Sequence, residues 1–559
     1  MARIRTWFLA LSVLGLLSLF AGLSIWEMSG DSLTVDERVH LPAGYAYWLK
    51  HDFRLNPEHP PFVKLLCAAP LLPLDPVLPS TEPPQGMDYR RFMGPFGIAF
   101  LFSQGADRLL FRGRLPVVGL GVLLGLLVFL WSWRLHGHPG AGMVSLALLA
   151  LEPTILAHSH YVTTDVALAC FGVMAFSFLW RFCEGGGRAR DLVLACLGMG
   201  LALASKFSAI VFLPVFYLLW LARWPKAPAG ATVPSWLKGR WMAALLGALG
   251  MAVVVQACYF FSSDLSLYFK GLREVLANKP EHYPAYINGS FHVGGTWWYP
   301  LYLFLLKTPL ATLLVMALAV AALRRRAGGL KPILLFVALP GGLYAAAVCL
   351  LADNYGLRYL IPATSFLLVL AGRAYAPLAA TWKGRAAAAV LAVWLLASVA
   401  RTAPHFIAYC NEIIGGPENA AHFMGDSSID WGQDLVRLKR YEDERGIDDL
   451  ILAYWGPVAP NLYGVRYRHW EIGPRTGTDD PPLDADPPLP GVYAISVNHL
   501  IHLKKRVQFG RDDPKIDWLE RFEPTGRVGY SIYIYDFSGS SGWSPIGSPG
   551  SALSEPPYR

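Results

Sequence analysis

This sequence predicts a polytopic α-helical membrane protein with a C-terminal α+β domain, and three observations predict it. Of 559 residues, 54% are hydrophobic and only 16% are charged, against about 25% charged in an average soluble chain; the mean hydropathy is +0.37. Apolar runs of about 20 residues recur, each long enough to cross a hydrocarbon layer of roughly 30 Å. From residue 404 onward the pattern changes to charges, prolines and short β-type runs. Disordered, collagenous and secreted-scaffold classes are excluded. The seven cysteines have neither a CxxC nor a metal spacing, and most lie inside apolar runs, so they read as small core residues.

The first span is Trp7 to Trp26. It reads as an uncleaved helix, because the run is longer than the roughly 7–15 apolar residues of a signal-peptide core. Further candidates run at about 115–133, 141–158, 163–182, 192–205, 207–222, 241–261, 298–322, 332–352, 358–375 and 386–403, about eleven spans in all. The segment 192–222 needs an argument. As one helix it would be about 46 Å long, too long to stand untilted and short for two spans. With a break at Lys206, the basic groups Arg3/Arg5, Arg134, Arg181/Arg188/Arg190, Arg223/Lys226/Lys238/Arg240, Arg324/Arg325/Arg326/Lys331 and Arg373/Lys383/Arg385 all fall on one side. The positive-inside bias then puts the N-terminus in the cytoplasm and everything after Thr402 outside, in a multi-pass plasma (inner) membrane protein. The net charge of +8 reads as topology, and no nucleic acid is expected as a partner.

The division expected is 1–403 for the membrane domain, including an outer loop at 28–114, then 404–537 for the α+β domain and 538–559 for a disordered tail. Asp430-Trp-Gly-Gln-Asp434 suggests an N-cap and acidic first turn for a helix through Arg445. Strands are expected at Leu450–Trp455, Val492–Val497 and Tyr530–Asp536. The Pro-rich stretch from Gly473 to Pro490 reads as a surface loop, and the Gly/Ser/Pro end as disorder.

Polar residues gather at one boundary. The outer loop holds Asp36-Glu37 and Arg54-Leu-Asn-Pro-Glu58-His59-Pro-Pro61, followed by Phe62-Val-Lys64. Asp165, Lys206, Lys307 and Arg358 stand in apolar surroundings at the same side. Singly they read as a solvated acidic pair, a helix cap, snorkelling lysines and an interfacial anchor. Ionisable groups at membrane depth cost about 2.5–3.5 kcal/mol on insertion scales, so together they mark an outward cavity where carboxylates and cations meet.

The Asp36-Glu37 pair after the first span, the His59-Pro60-Pro61 turn, Thr163-Thr164-Asp165 and Gly356-Leu-Arg358-Tyr-Leu-Ile-Pro362 resemble the GT-C membrane glycosyltransferases. The nearest branch is the protein O-mannosyltransferase and aminoarabinose-transferase one, and the resemblance covers residues 1–405. The stretch from Tyr409 through Asp434 resembles one that follows the last span in bacterial members. The resemblance implies transfer of a hexosyl or mannosyl-type sugar from a polyprenyl-phosphate donor to a protein, lipid or glycan acceptor, with Asp36 at the catalytic acidic position. Where the aminoarabinose transferases have a lysine before the proline pair, this chain has His59.

In such a reaction an acceptor hydroxyl attacks the anomeric carbon as a lipid phosphate leaves, which calls for a base and for positive charge on the departing oxygens. Asp36 is the expected base. Arg358 is the expected phosphate clamp, assisted by Lys64 or Lys206. Asp165 would orient the acceptor or a cation. Glu37, Glu58 and His59 complete the candidate substrate-binding set, with a divalent ion an option but no obligatory cofactor. The rival readings are a secondary transporter, which would show internal repeats and midplane charges, and a non-catalytic assembly subunit.

Overall fold

The computed structural model of the chain describes residues 2–225, 233–277, 284–294, 296–324, 330–352, 356–470, 490–508 and 522–539. Lys226, Arg325, Arg326, Asp353 and Asn354, nearly all of the Pro-rich stretch and the chain from 540 onward lie outside these residues.

Among the described residues, seven helices are long and apolar enough to cross a membrane: Thr6–Met28, Ala106–His136, Asp165–Glu184, Gly239–Cys258, Leu330–Leu351, Leu357–Ala380 and Trp382–Thr402. An eighth is gained if Tyr299–Lys307 and Leu310–Leu323, bent by 111°, form one span. Pro309 sits in that bend, where its missing N–H and its ring interrupt the helical ladder. The sequence count of about eleven includes three segments that fold as shorter helices. Residues 141–158 divide before Pro153 into Pro139–Ala150 and Pro153–His158. Residues 192–222 divide at Lys206, whose backbone is extended, into Ala189–Ser205 and Phe207–Ala222.

The helix Asp165–Glu184 is the axis of the bundle. It packs on Ala106–His136, Ala189–Ser205 and the Ile361–Ala371 part of the last-but-one span. Gly239–Cys258 and Trp382–Thr402 lie at the periphery and expose Leu245, Leu249, Val390 and Val393, the apolar faces that lipid covers in a membrane.

The outer loop forms three short helices, Glu37–Lys50, Phe62–Ala68 and Tyr89–Phe102. The first two meet backbone to backbone: a Cβ on Gly44 would sit 2.1 Å from the Lys64 carbonyl oxygen, so only glycine fits there. That contact fixes Asp36 and the His59-Pro60-Pro61 turn relative to each other.

A hairpin pairs β1 (Ala285–Ile287) with β2 (Ser290–His292). The tail builds a five-stranded mixed sheet from β3 (Leu450–Ala453), β4 (Tyr467–His469), β5 (Val492–Ser496), β6 (Gly526–Val528) and β7 (Ile532–Asp536), in the order β4-β3-β5-β7-β6. β3 is parallel to β4 and β5, and β7 is antiparallel to β5 and β6. Every residue of β3 is buried, as for a central strand covered on both faces.

The helix expected at Asp430 begins at Leu435. Asp434 is its N-cap position, but its carboxylate is taken by Arg437, Gln433 and Ser531 and makes no cap. Asp430 lies outside the helix and accepts from the Gly432 and Asn498 backbones.

Candidate active site

Asp36 stands at the N-terminus of the helix Glu37–Lys50. Arg358 lies in the turn Leu357–Leu360, entered through Gly356 at φ +105°, where an added Cβ would lie 2.8 Å from Ser427 Oγ of the tail. Arg358 Nη1 donates to Asp36 Oδ2 at 2.5 Å, and the two side chains are 10% and 23% exposed. The pair is shielded but reachable.

A second pair lies beside it. Asp165 opens the helix Asp165–Glu184, where its charge suits the helix N-terminus, and Lys206 Nζ donates to its Oδ1 at 2.5 Å from the C-terminal end of Ala189–Ser205. The Tyr359 ring joins the pairs, with Lys206 Nζ 4.3 Å and Arg358 Cζ 5.3 Å from its centroid. Four candidate residues from distant parts of the chain thus meet.

Burial raises the Asp36 carboxyl, but the neighbouring cations, Arg358 first and Lys206 with it, outweigh it and hold the group below the usual carboxylate range. His40 is pushed down to about 4, chiefly by burial, and its Nδ1 contacts the Val162 carbonyl at 2.8 Å. His59 meets it edge-on at 5.0 Å and is held well below its ordinary value by burial and neighbouring cations. At neutral pH both rings are uncharged. His59 also lines a cavity of about 440 Å³ walled by Tyr47, Phe53, Arg54, Tyr89 and Tyr259. Glu58 lies next to His59, partly exposed, 3.7 Å from Arg90 Nε.

Two expected ligand-binding residues are engaged in structure instead. Glu37 is fully buried: Arg114 grips both oxygens at 2.8 and 2.7 Å, and Thr34 and the Val162 N–H donate as well. Successive helical residues diverge by roughly 100°, so Glu37 faces away from Asp36. Lys64 folds back along its helix toward the preceding turn, where its ammonium donates to the Asn56 carbonyl and, at 2.9 Å, to that of His59. Lys206, not Lys64, is the cation beside Arg358. Lys307, read as a snorkelling residue, is buried under the carbonyls of Ile407, Tyr409 and Ser428 at 2.6 to 3.0 Å.

Sequence reasoning missed several partners. Arg114 falls just short of the span start placed at 115, although an arginine in so apolar a helix demands a buried partner. Asp31 accepts from His160 at 2.9 Å and pairs with Arg437 of the tail at 2.6 Å. Trp431 lies within the quoted tail motif, and Arg358 Cζ sits 4.4 Å over its ring. Among the described residues, no group of three or more His, Cys, Asp or Glu is placed to hold a metal ion; Asp36, Glu37 and Glu58 each face a different arginine.

The family model of dolichyl-phosphate-mannose-protein mannosyltransferases matches residues 90–256, and no curated protein matches. Among solved structures, ArnT from Cupriavidus metallidurans bound to undecaprenyl phosphate aligns at a TM-score of 0.49 and 14% identity, covering 96% of this chain and 99% of that one. The Archaeoglobus fulgidus oligosaccharyltransferase in the apo form aligns at 0.42 and 13% identity, covering 81% and 63%. By its matched segment the chain is similar to the dolichyl-phosphate-mannose-protein mannosyltransferases, within the GT-C membrane glycosyltransferases that its motifs resemble.

Proposed function

We propose that this protein is a membrane glycosyltransferase that moves a sugar from a polyprenyl-phosphate donor to an acceptor hydroxyl on the extracytoplasmic face, by direct displacement. The observation that carries the reading is the Asp36–Arg358 pair, an acid and a cation whose fork suits phosphate oxygens, held together at the edge of the bundle. At rest Arg358 keeps Asp36 ionised. A donor phosphate draws the guanidinium to its own oxygens, and the freed carboxylate takes the proton of the attacking hydroxyl. Negative charge grows on the phosphate as the sugar departs, so Arg358 and Lys206 stabilise the transition state more than the bound donor. Asp165 orients Lys206. The match of residues 90–256 to enzymes named for a dolichyl-phosphate-mannose donor supports the lipid-phosphate class, and the one-sided lysines and arginines support the outer face.

Purified protein in liposomes, given a panel of radiolabelled polyprenyl-phosphate sugars with hydroxyl acceptors, tests this. Release of polyprenyl phosphate from at least one donor is expected. Solute movement across the vesicle with every donor intact would favour a transporter instead.

A further inference from the structure

We propose that Trp431 of the tail is a positioning residue for Arg358, which makes the tail domain part of the active centre; this rests on the reading of Arg358 as phosphate clamp. Trp431 is 2% exposed, and its ring carries the Arg358 guanidinium 4.4 Å from its centroid. The indole is itself held edge-on by His158 at 5.6 Å and Tyr161 at 5.5 Å, both from the segment that precedes Asp165.

The backbone that bears it is fixed from both domains. Trp431 N–H donates to Gln433 Oε1 at 2.7 Å. The Gly432 carbonyl accepts from Ser32 Oγ at 2.8 Å and from the Tyr454 hydroxyl at 2.9 Å. Ser32 Oγ in turn accepts from Leu435 N at 3.1 Å. Ser32 lies four residues before Asp36, so one short segment anchors both the acid and the loop that holds its cation.

The choice of residue type has a chemical reason. A carboxylate in this place would hold Arg358 by occupying its N–H donors. An indole face attracts the charge and accepts no conventional hydrogen bond, so the donors stay available for phosphate oxygens. Arg358 gives Nη1 to Asp36, and its buried Nε has no hydrogen-bond partner among the described residues.

The test measures donor cleavage by Trp431→Ala and Trp431→Phe, with the alanine change repeated in an Arg358→Ala background. Trp431→Ala is expected to lower kcat about tenfold or more with a smaller change in KM. Trp431→Phe keeps an aromatic face and should stay within about threefold of wild type. In the Arg358→Ala background the alanine change should cost less than about twofold, because coupled residues are not additive. If Trp431→Ala does not insert, Trp431→Leu replaces it, with the same losses expected. A Trp431→Ala or Trp431→Leu change that leaves kcat unchanged, or that costs the same factor in both backgrounds, overturns the proposal while the glycosyltransferase reading stands. A wild-type protein that cleaves no donor overturns that reading and this proposal with it.

Discussion

Arg358 reaches Asp36 across 322 residues of chain, with Nη1 and Oδ2 2.5 Å apart, and Lys206 stands in the same relation to Asp165 beside them. The resting site is therefore a pair of closed ion pairs, each an acid with its own cation. On the proposed mechanism an incoming phosphate opens the Asp36–Arg358 pair, which would tie donor binding to activation of the base.

Replacing Arg358 separates charge from geometry. Lysine keeps the charge but loses the two-pronged fork, and alanine loses both. Turnover should fall in both variants, more in Arg358→Ala than in Arg358→Lys, with donor binding weakened less than rate. Steady-state kinetics with filter binding of labelled donor checks the order.

Glu37 should behave differently from its neighbour. Removing one partner of a buried ion pair costs about 3–5 kcal/mol, so Glu37→Ala should lower the melting temperature and membrane yield, with residual turnover scaling with the folded fraction. A stable Glu37→Ala protein with a specific loss of turnover would return Glu37 to the substrate site.

Asp430 supplies a pH dependence. Burial pushes its carboxyl up to about 8 against the opposing Gly432 and Asn498 N–H groups. The folded state then holds a proton that the unfolded state releases above its ordinary value of 3.8, so stability is full below that value and falls as pH rises toward about 8. Melting curves at pH 6 and pH 9 should show a drop that Asp430→Asn reduces.

An alkaline phosphatase fusion after Thr402 should be active and a cytoplasmic reporter at the same point inactive, because the basic clusters lie on one side. The reverse pattern would move the site to the cytoplasmic face.

The helical bundle was legible in the sequence because apolar runs and their breaks are local: Lys206 and Pro153 interrupt helices where they stand. The strands β3, β5 and β7 were legible from short β-branched and aromatic runs, whereas β4 and β6, three residues each, were too short to stand out. Of the candidate site, Asp36, Asp165, Lys206 and Arg358 converge. Glu37 and Lys64, an acid and a cation in the same loop as Asp36, have charges that suit the same site, and only the rotation of their helices turns them toward Arg114 and the Asn56–His59 turn. Trp431 could not be assigned a partner, because its neighbour in space is 73 residues upstream at Arg358, in the other domain.

Cleavage of labelled polyprenyl-phosphate sugar by Asp36→Asn, measured beside donor binding by the same protein, decides whether Asp36 is the base. The side chain stays nearly isosteric but cannot accept the proton, so donor binding should persist and the rate should fall about 10²–10⁴-fold. A well-folded Asp36→Asn protein turning over near the wild-type rate would contradict it and remove Asp36 from the chemistry.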